Sequence, residues 1–372
     1  MLRRPRVQTL PLTEIPVMRP KLPEQKLIAK YIKRIDQNRI YTNYGPLQEE
    51  LTSRLAEYFG VADDQVLLVA NGTVALQGAI ETVSQASEKW ILPSWTFVAS
   101  AEAVASARKE VVFGDVDSET WTLQFSNKTN QFSHMVVAPF GAAPQVVDWQ
   151  QSQNGGPLVI DAASCFDACK SLQYDQLTQT VVMVSLHATK LVTTGEGGVL
   201  IGDASWLADV KQWSNFGFRG QRVAGIRGTN AKLSEYGAAI GLASLDEWER
   251  TRSVLLSLTA RYMSALRSVG LSAQPGLKDG TVSSTIVTKF PSKAMREAAQ
   301  LSLSRHHIAT RAWWSEGIHR MESFANCQKR EDLVVTEALG DTTLGLPFYI
   351  DMTDRELDRI IEAIDESEVL EP

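Results

Sequence analysis

The chain has 372 residues, 44% of them hydrophobic and 22% charged, which is the composition of an ordinary globular protein large enough for one big domain with an appendage or for two. A net charge of -6 offers no basic field for a polyanion, which argues against a dedicated nucleic-acid binder but leaves room for a local pocket for a small anion. No apolar run is long enough to span a bilayer.

The opening segment MLRRPRVQTLPLTEIP carries the arginines of a signal peptide, but Pro5, Pro11 and Pro16 interrupt it before an apolar stretch can form, so a cytoplasmic protein is expected. In PLQEELTSRLAEYFG the residues Leu47, Leu51, Leu55 and Phe59 recur on one helical face. From there to Leu245 short apolar runs alternate with helical patterns. The expected strands are VLLVA (66–70), WIL (90–92), VVFGDV (111–116), MVVAPF (135–140), PLVID (157–161), VVMVS (181–185) and GGVLIG (197–202). Several are continuously apolar, as strands covered on both faces must be. This is the α/β pattern of a mostly parallel sheet between helical layers. Residues Leu233 to Val269 read as a long helical stretch leading to a smaller α/β region. In that region TVSSTIVTKF reads as a strand, SKAMREAAQLSLSRH as a helix, and TDRELDRIIEAIDE as a closing helix capped by Thr353. The expected domains are 1–250 and 251–372. Cys165, Cys169 and Cys327 are too few for a disulfide framework and lack a histidine cluster for zinc.

Four places carry candidate chemistry. Lys190 lies in a small-residue turn between two strands, in SLHATKLVTTGEGG, where a Schiff-base lysine would have room for a ligand ring; a surface turn lysine is the plainer alternative. Asn71-Gly72-Thr73 opens a helix directly after a strand, which suits either an anion site or a simple capping turn. Asp161 ends a buried strand before Ala162, Ala163 and Ser164, placed either to pair with a cofactor's pyridinium nitrogen or to cap a helix. Phe97 could stack on a planar cofactor or pack into the core, and Trp95 competes for the same role.

Together with TNYGPLQEEL, NGTVAL, PSWTFVASAEAV, VFGDVD, VIDAAS, NFGFRG and GTNAKLSEYGAAIGLASLD, in this order, these blocks resemble the DegT/DnrJ/StrS family of sugar aminotransferases, a branch of the aspartate-aminotransferase fold. The resemblance covers most of residues 41–250. It implies a three-layer pyridoxal-phosphate transferase fold with a smaller C-terminal α/β domain, and pyridoxal 5'-phosphate as cofactor. The cofactor-bearing lysine falls on Lys190, the ring-nitrogen aspartate on Asp161 and the stacking aromatic on Phe97. The phosphate ligands fall on Gly72, Thr73 and Ser185, and on Asn230 reaching across the interface of a homodimer. Dehydratase relatives carry histidine in place of the lysine, so Lys190 implies transamination. Ser164 stands where the family commonly has Gln or His near the cofactor's phenolic oxygen, and the stretch from Asp161 to Lys190 is abbreviated.

The implied substrates are L-glutamate and a dTDP- or UDP-linked 4-keto-6-deoxyhexose, with a 3-keto sugar or a non-catalytic regulatory relative as alternatives. The implied setting is amino-sugar biosynthesis, such as that of lipopolysaccharide O-antigen. Arg219, Arg222 and Arg227 in a glycine-rich loop are candidate cations for the nucleotide diphosphate, or solvated surface arginines. Arg311 and His319, in IATRAWWSEGIHRM, are candidate sugar contacts by resemblance. A dinucleotide oxidoreductase would share the alternating pattern, but no G-x-G-x-x-G follows an early strand.

Overall fold

A computed structural model describes residues 14–84, 86–124, 132–144, 146, 149, 156–174, 177–278 and 280–368; most of the opening segment, with Pro5 and Pro11, lies outside them. In chain order the helices are α1 (Gln25–Asn38), α2 (Pro46–Phe59), α3 (Gly72–Thr82), α4 (Val98–Ser106), α5 (Ala204–Trp213), α6 (Glu235–Asp246), α7 (Trp248–Ser268), α8 (Lys293–Arg305), α9 (Val334–Thr342) and α10 (Asp354–Glu368). The strands are β1 (Val66–Val69), β2 (Lys89–Pro93), β3 (Glu110–Gly114), β4 (Ser133–Val137), β5 (Leu158–Asp161), β6 (Thr180–Ser185), β7 (Gly198–Gly202), β8 (Ile286–Lys289), β9 (Gln328–Lys329) and β10 (Thr343–Leu346). None of the described helices is long and apolar enough to cross a membrane.

Eight strands form one sheet in the order β1-β7-β6-β5-β4-β2-β3-β9, in which only β7 runs against its neighbours. Alternate residues feed two different cores. Leu68, Leu158, Ile160, Val182 and Val184 face α1, α2 and α6, whereas Leu67, Val69, Val159, Val181 and Met183 face α3, α4 and α5. Successive side chains on a strand point to opposite faces, so continuously apolar strands require a helical layer on each side. The result is a three-layer α/β fold. The first core continues without a break into a second, antiparallel sheet of β8 and β10, covered by α8 and α10. The boundary expected at residues 250 and 251 falls inside α7.

Some elements differ from their sequence pattern. The run MVVAPF stops being a strand at Val137, because Pro139 cannot donate to a ladder and starts a helical turn over Pro139–Gly141. The helical stretch after Leu233 is two helices, divided at Glu247. Thr353 does cap α10, accepting from the Glu356 amide at 3.2 Å while its own amide donates to the Glu356 carboxylate at 2.8 Å.

Candidate active site

Because β1, β5 and β6 run the same way, their carboxyl ends line one edge of the sheet, and the candidate residues gather there. After β6 the chain makes a compact turn. The amides of Leu186 and Ala188 donate to the carbonyls of Gly197 and Gly195, that of Lys190 donates to His187, and that of Thr194 returns to Leu186. Gly195 takes a φ of 84°, where a side chain would be strained. A Cβ on Gly198 would lie 2.7 Å from the Asn71 carbonyl oxygen, so glycine is needed for the start of α3 to approach β7. Lys190 projects from this turn, and its Nζ donates to Ser164 Oγ at 2.8 Å. Its stem keeps some solvent contact while the amine is enclosed; burial pushes the amine below its ordinary value, against the pull of the nearby Asp161 carboxylate.

Asp161, 5% exposed, accepts from Ser100 Oγ at 2.7 Å and from the Ala163 amide at 3.1 Å. Among the described residues no Lys, Arg or His pairs with it. Burial pushes its carboxyl up, opposed by those two hydrogen bonds and by the charge of Lys190. It caps no helix: the helical turn Phe166–Cys169 begins after Cys165. A dehydrated carboxylate held by two neutral donors has the chemistry to receive a ring N–H that carries positive charge.

At the end of β1, Asn71 caps α3, its Oδ1 accepting from the Val74 amide at 2.9 Å. The capping turn and the anion site expected here are compatible, since the amides of Gly72 and Thr73 have no partner inside the helix and face its positive end. A Cβ on Gly72 would meet Met183 Sδ at 3.1 Å and Ser185 Cβ at 3.5 Å, which puts Ser185 against the same helix start. Asn230 is exposed on this edge; its Oδ1 accepts from Lys232 Nζ at 2.7 Å, and the next carbonyl, of Ala231, accepts from Ala70. The two aromatic candidates have opposite environments. Trp95 is 2% exposed and lies edge-on to Trp314, whereas Phe97, directly before α4, is 59% exposed. Trp95 is the core residue.

The whole span from residue 23 to 365 matches the family model of the DegT/DnrJ/EryC1/StrS aminotransferase family. The chain belongs to this family. Protein Rv3402c of Mycobacterium tuberculosis is 28% identical over 96% of this chain and 91% of its own length. The dTDP-4-amino-4,6-dideoxy-D-glucose transaminase of Escherichia coli is 25% identical, covering 94% and 98%. A putative PLP-dependent aminotransferase from Bacillus cereus superposes with a TM-score of 0.85 at 25% identity, covering 94% of this chain and 99% of that one. The protein is thus a pyridoxal-phosphate-dependent aminotransferase, and the buried carboxylate, the enclosed amine and the helix start fit that cofactor.

The remaining candidates of the aminotransferase lie in different surroundings. Arg219 is paired with Asp209 at 3.0 Å. Arg222 and Arg227 are exposed, and Arg227 lines a broad open groove of about 1070 Å³ with Trp213 and Phe216. Arg311 lies over the ring of Trp313, 4.9 Å from its centroid. His319 is buried, with Nδ1 on Ser94 Oγ at 2.7 Å and Nε2 on the Glu337 carboxylate at 3.2 Å, so both ring nitrogens are engaged by the scaffold. None of these five lines the cavity at Lys190. Arg19, Lys21 and Tyr349 do, and the pattern of the sequence did not reveal them, because they reach the site only through tertiary contacts.

Proposed function

We propose that the aminotransferase moves the amino group of L-glutamate onto a nucleotide-linked keto-deoxy sugar, a dTDP- or UDP-linked 4-keto-6-deoxyhexose before a 3-keto sugar. The sugar class is supported by the name of the E. coli relative. The observation that carries the chemistry is the juxtaposition of two buried groups, Lys190 with a lowered amine and Asp161 with a raised carboxyl that has no ion pair among the described residues.

Bound pyridoxal phosphate supplies a carbonyl carbon that exchanges amines and a cationic ring that takes up the electron pair left when an α-proton departs. Lys190 would hold that carbon through Nζ and, when released by the donor's amine, would serve as the base that moves the α-proton to the same carbon; burial keeps the amine neutral enough to do so. Asp161, fixed by Ser100 and the Ala163 amide, keeps the ring nitrogen protonated. Phe97 would stack on the ring, and Ser164, which accepts from Nζ, would tune the phenolic oxygen. The amides of Gly72 and Thr73 and the hydroxyl of Ser185 would hold the phosphate, joined by Asn230 from a second copy of the chain. A homodimer is supported by the apolar side chains exposed on both sides of Asn230: Phe216, Val223 and Ile226 before it, Tyr236 after it.

The test is a panel of dTDP- and UDP-linked 3-keto and 4-keto deoxyhexoses offered with L-glutamate. The expected result is 2-oxoglutarate released in step with one aminated 4-keto sugar. Turnover of glutamate with no sugar of the panel aminated would overturn the acceptor class.

A further inference from the structure

Residues Ile15 to Lys21 run as a strap across the second sheet. The Ile15 amide donates to the His307 carbonyl, the Ala309 amide donates back to Ile15, and the Phe348 amide donates to Val17. The strap brings Arg19 and Lys21 to a cavity of about 80 Å³ whose wall also includes Lys190, Thr251, Ser284 and Tyr349. No Asp or Glu lines this cavity among the described residues. Pockets that take a whole drug-sized ligand measure roughly 300–1,000 Å³, so this one receives a substituent.

The cations there are not equivalent. The Arg19 guanidinium lies 4.3 Å from the centroid of the Tyr349 ring and pairs with Asp351 at 3.5 Å and Glu356 at 3.4 Å, so its charge is already matched. Lys190 is committed to the cofactor in the proposed reaction. Lys21 has no ion pair among the described residues, is exposed, and lines the cavity. Apolar side chains such as Met18, Leu255 and Phe348 complete the wall, and the polar groups set among them are cations and hydroxyls with no carboxylate, a combination that selects a compact oxyanion.

We infer that this cavity is an oxyanion subsite of the aminotransferase, with Lys21 as the side chain that draws a carboxylate or phosphate of the substrate into it. The inference rests on the proposed function, whose two substrates share this chemistry: the amino donor through a carboxylate, the sugar nucleotide through its diphosphate.

The experiment uses the holoenzyme, so that the cofactor's own phosphate site is filled. Glutarate, a dicarboxylate without an amine, and inorganic pyrophosphate are titrated separately against wild type, Lys21→Met and Lys21→Arg, with thermal stabilisation as the readout. Loss of one charge-assisted contact is expected to weaken binding about tenfold or more in Lys21→Met. Lys21→Arg retains it, and the unliganded melting temperature stays unchanged. Weakened glutarate binding assigns the subsite to the donor, weakened pyrophosphate binding to the nucleotide. No measurable binding of either anion to the wild type, or equal binding by Lys21→Met and wild type, overturns the inference. The readout needs no turnover: Lys21-dependent anion binding with a barren keto-sugar panel would retire the acceptor class and keep the subsite.

Discussion

The Nζ of Lys190 donates to the hydroxyl of Ser164 at 2.8 Å, so a residue of the loop after β5 stabilises the protonated form of an amine presented from the turn after β6. Burial already lowers this amine, and removing its acceptor disfavours the charged form further. Only the neutral amine attacks the cofactor's carbonyl carbon, so capture of pyridoxal phosphate by the apoenzyme speeds up as pH rises through the Lys190 value. Ser164→Ala is expected to move that rise to lower pH. Stopped-flow capture rates across a pH series measure it, and a profile unchanged from wild type would mean that the hydroxyl does not govern the lysine. In both proteins borohydride should fix the cofactor to the peptide containing Lys190.

Asp161 sets stability against turnover. Its native carboxyl is raised above the ordinary 3.8 by burial, so between 3.8 and the native value the folded apoprotein holds a proton that the unfolded chain has lost. Wild-type apoprotein therefore loses stability as pH rises through that window, a loss that Asp161→Asn escapes. The difference grows in the variant's favour above 3.8 and levels off once the native carboxyl is ionised. Turnover should fall in the same variant by roughly 10²–10³-fold, the usual cost of removing one preorganised electrostatic group. Denaturant titrations of the two apoproteins at several pH values, with kcat on the holoenzymes, check both halves. Near-normal turnover in Asp161→Asn would leave the carboxylate a structural group.

Phe97 and Trp95, two residues apart, should separate cleanly. Trp95→Ala empties a packed position against Trp314 and is expected to cost about 3–5 kcal/mol of stability. Phe97→Ala removes an exposed ring and should change apoprotein stability by no more than about 0.5 kcal/mol. If the ring stacks on the cofactor, dissociation of pyridoxal phosphate rises roughly two- to tenfold in Phe97→Ala. Chemical denaturation of apoprotein and fluorescence titration with the cofactor give the two numbers, and unaltered cofactor affinity in Phe97→Ala would remove the stacking role.

What the sequence discloses is local, and what it withholds is long-range. Continuously apolar runs such as Val181–Val184 announce strands buried on both faces, and the glycines around Lys190 announce a turn with room beside the amine. Nothing near Asp115 indicates that its carboxylate receives the amides of Val335 and Thr336 at the start of α9. Nor does the pattern around Glu235 reveal that it takes the amides of Leu47 and Gln48 at the start of α2. Both are caps supplied from a distant part of the chain, which propensity and spacing do not encode. His319 is a sugar contact by resemblance alone, and nothing in its own segment indicates that Ser94 and Glu337 engage its ring. The strap that delivers Lys21 is fixed by single backbone bridges to residues about 290 and 330 positions away, and no periodicity marks it.

A last prediction concerns the division of the site between two chains. The Oδ1 of Asn230 is occupied by Lys232, which leaves the amide nitrogen to donate, and the side chain is exposed where a second copy could lie against it. Asn230→Asp sets a carboxylate against the cofactor phosphate and should weaken cofactor binding by like-charge repulsion. Lys190→Ala removes the cofactor's attachment and should be inactive. The two variants are mixed in equal amounts under conditions where subunits exchange. In a shared site, one active site of each hybrid combines Lys190 from the first variant with Asn230 from the second, and the other site carries both lesions. Random exchange makes half of the dimers hybrids, so activity should return to about one quarter of the wild-type site count. If both residues serve the site of their own chain, every site in the hybrid carries one lesion and the mixture stays as inactive as its parts. That second result, with hybrids confirmed by mass spectrometry of differently tagged chains, would confine the site to a single chain.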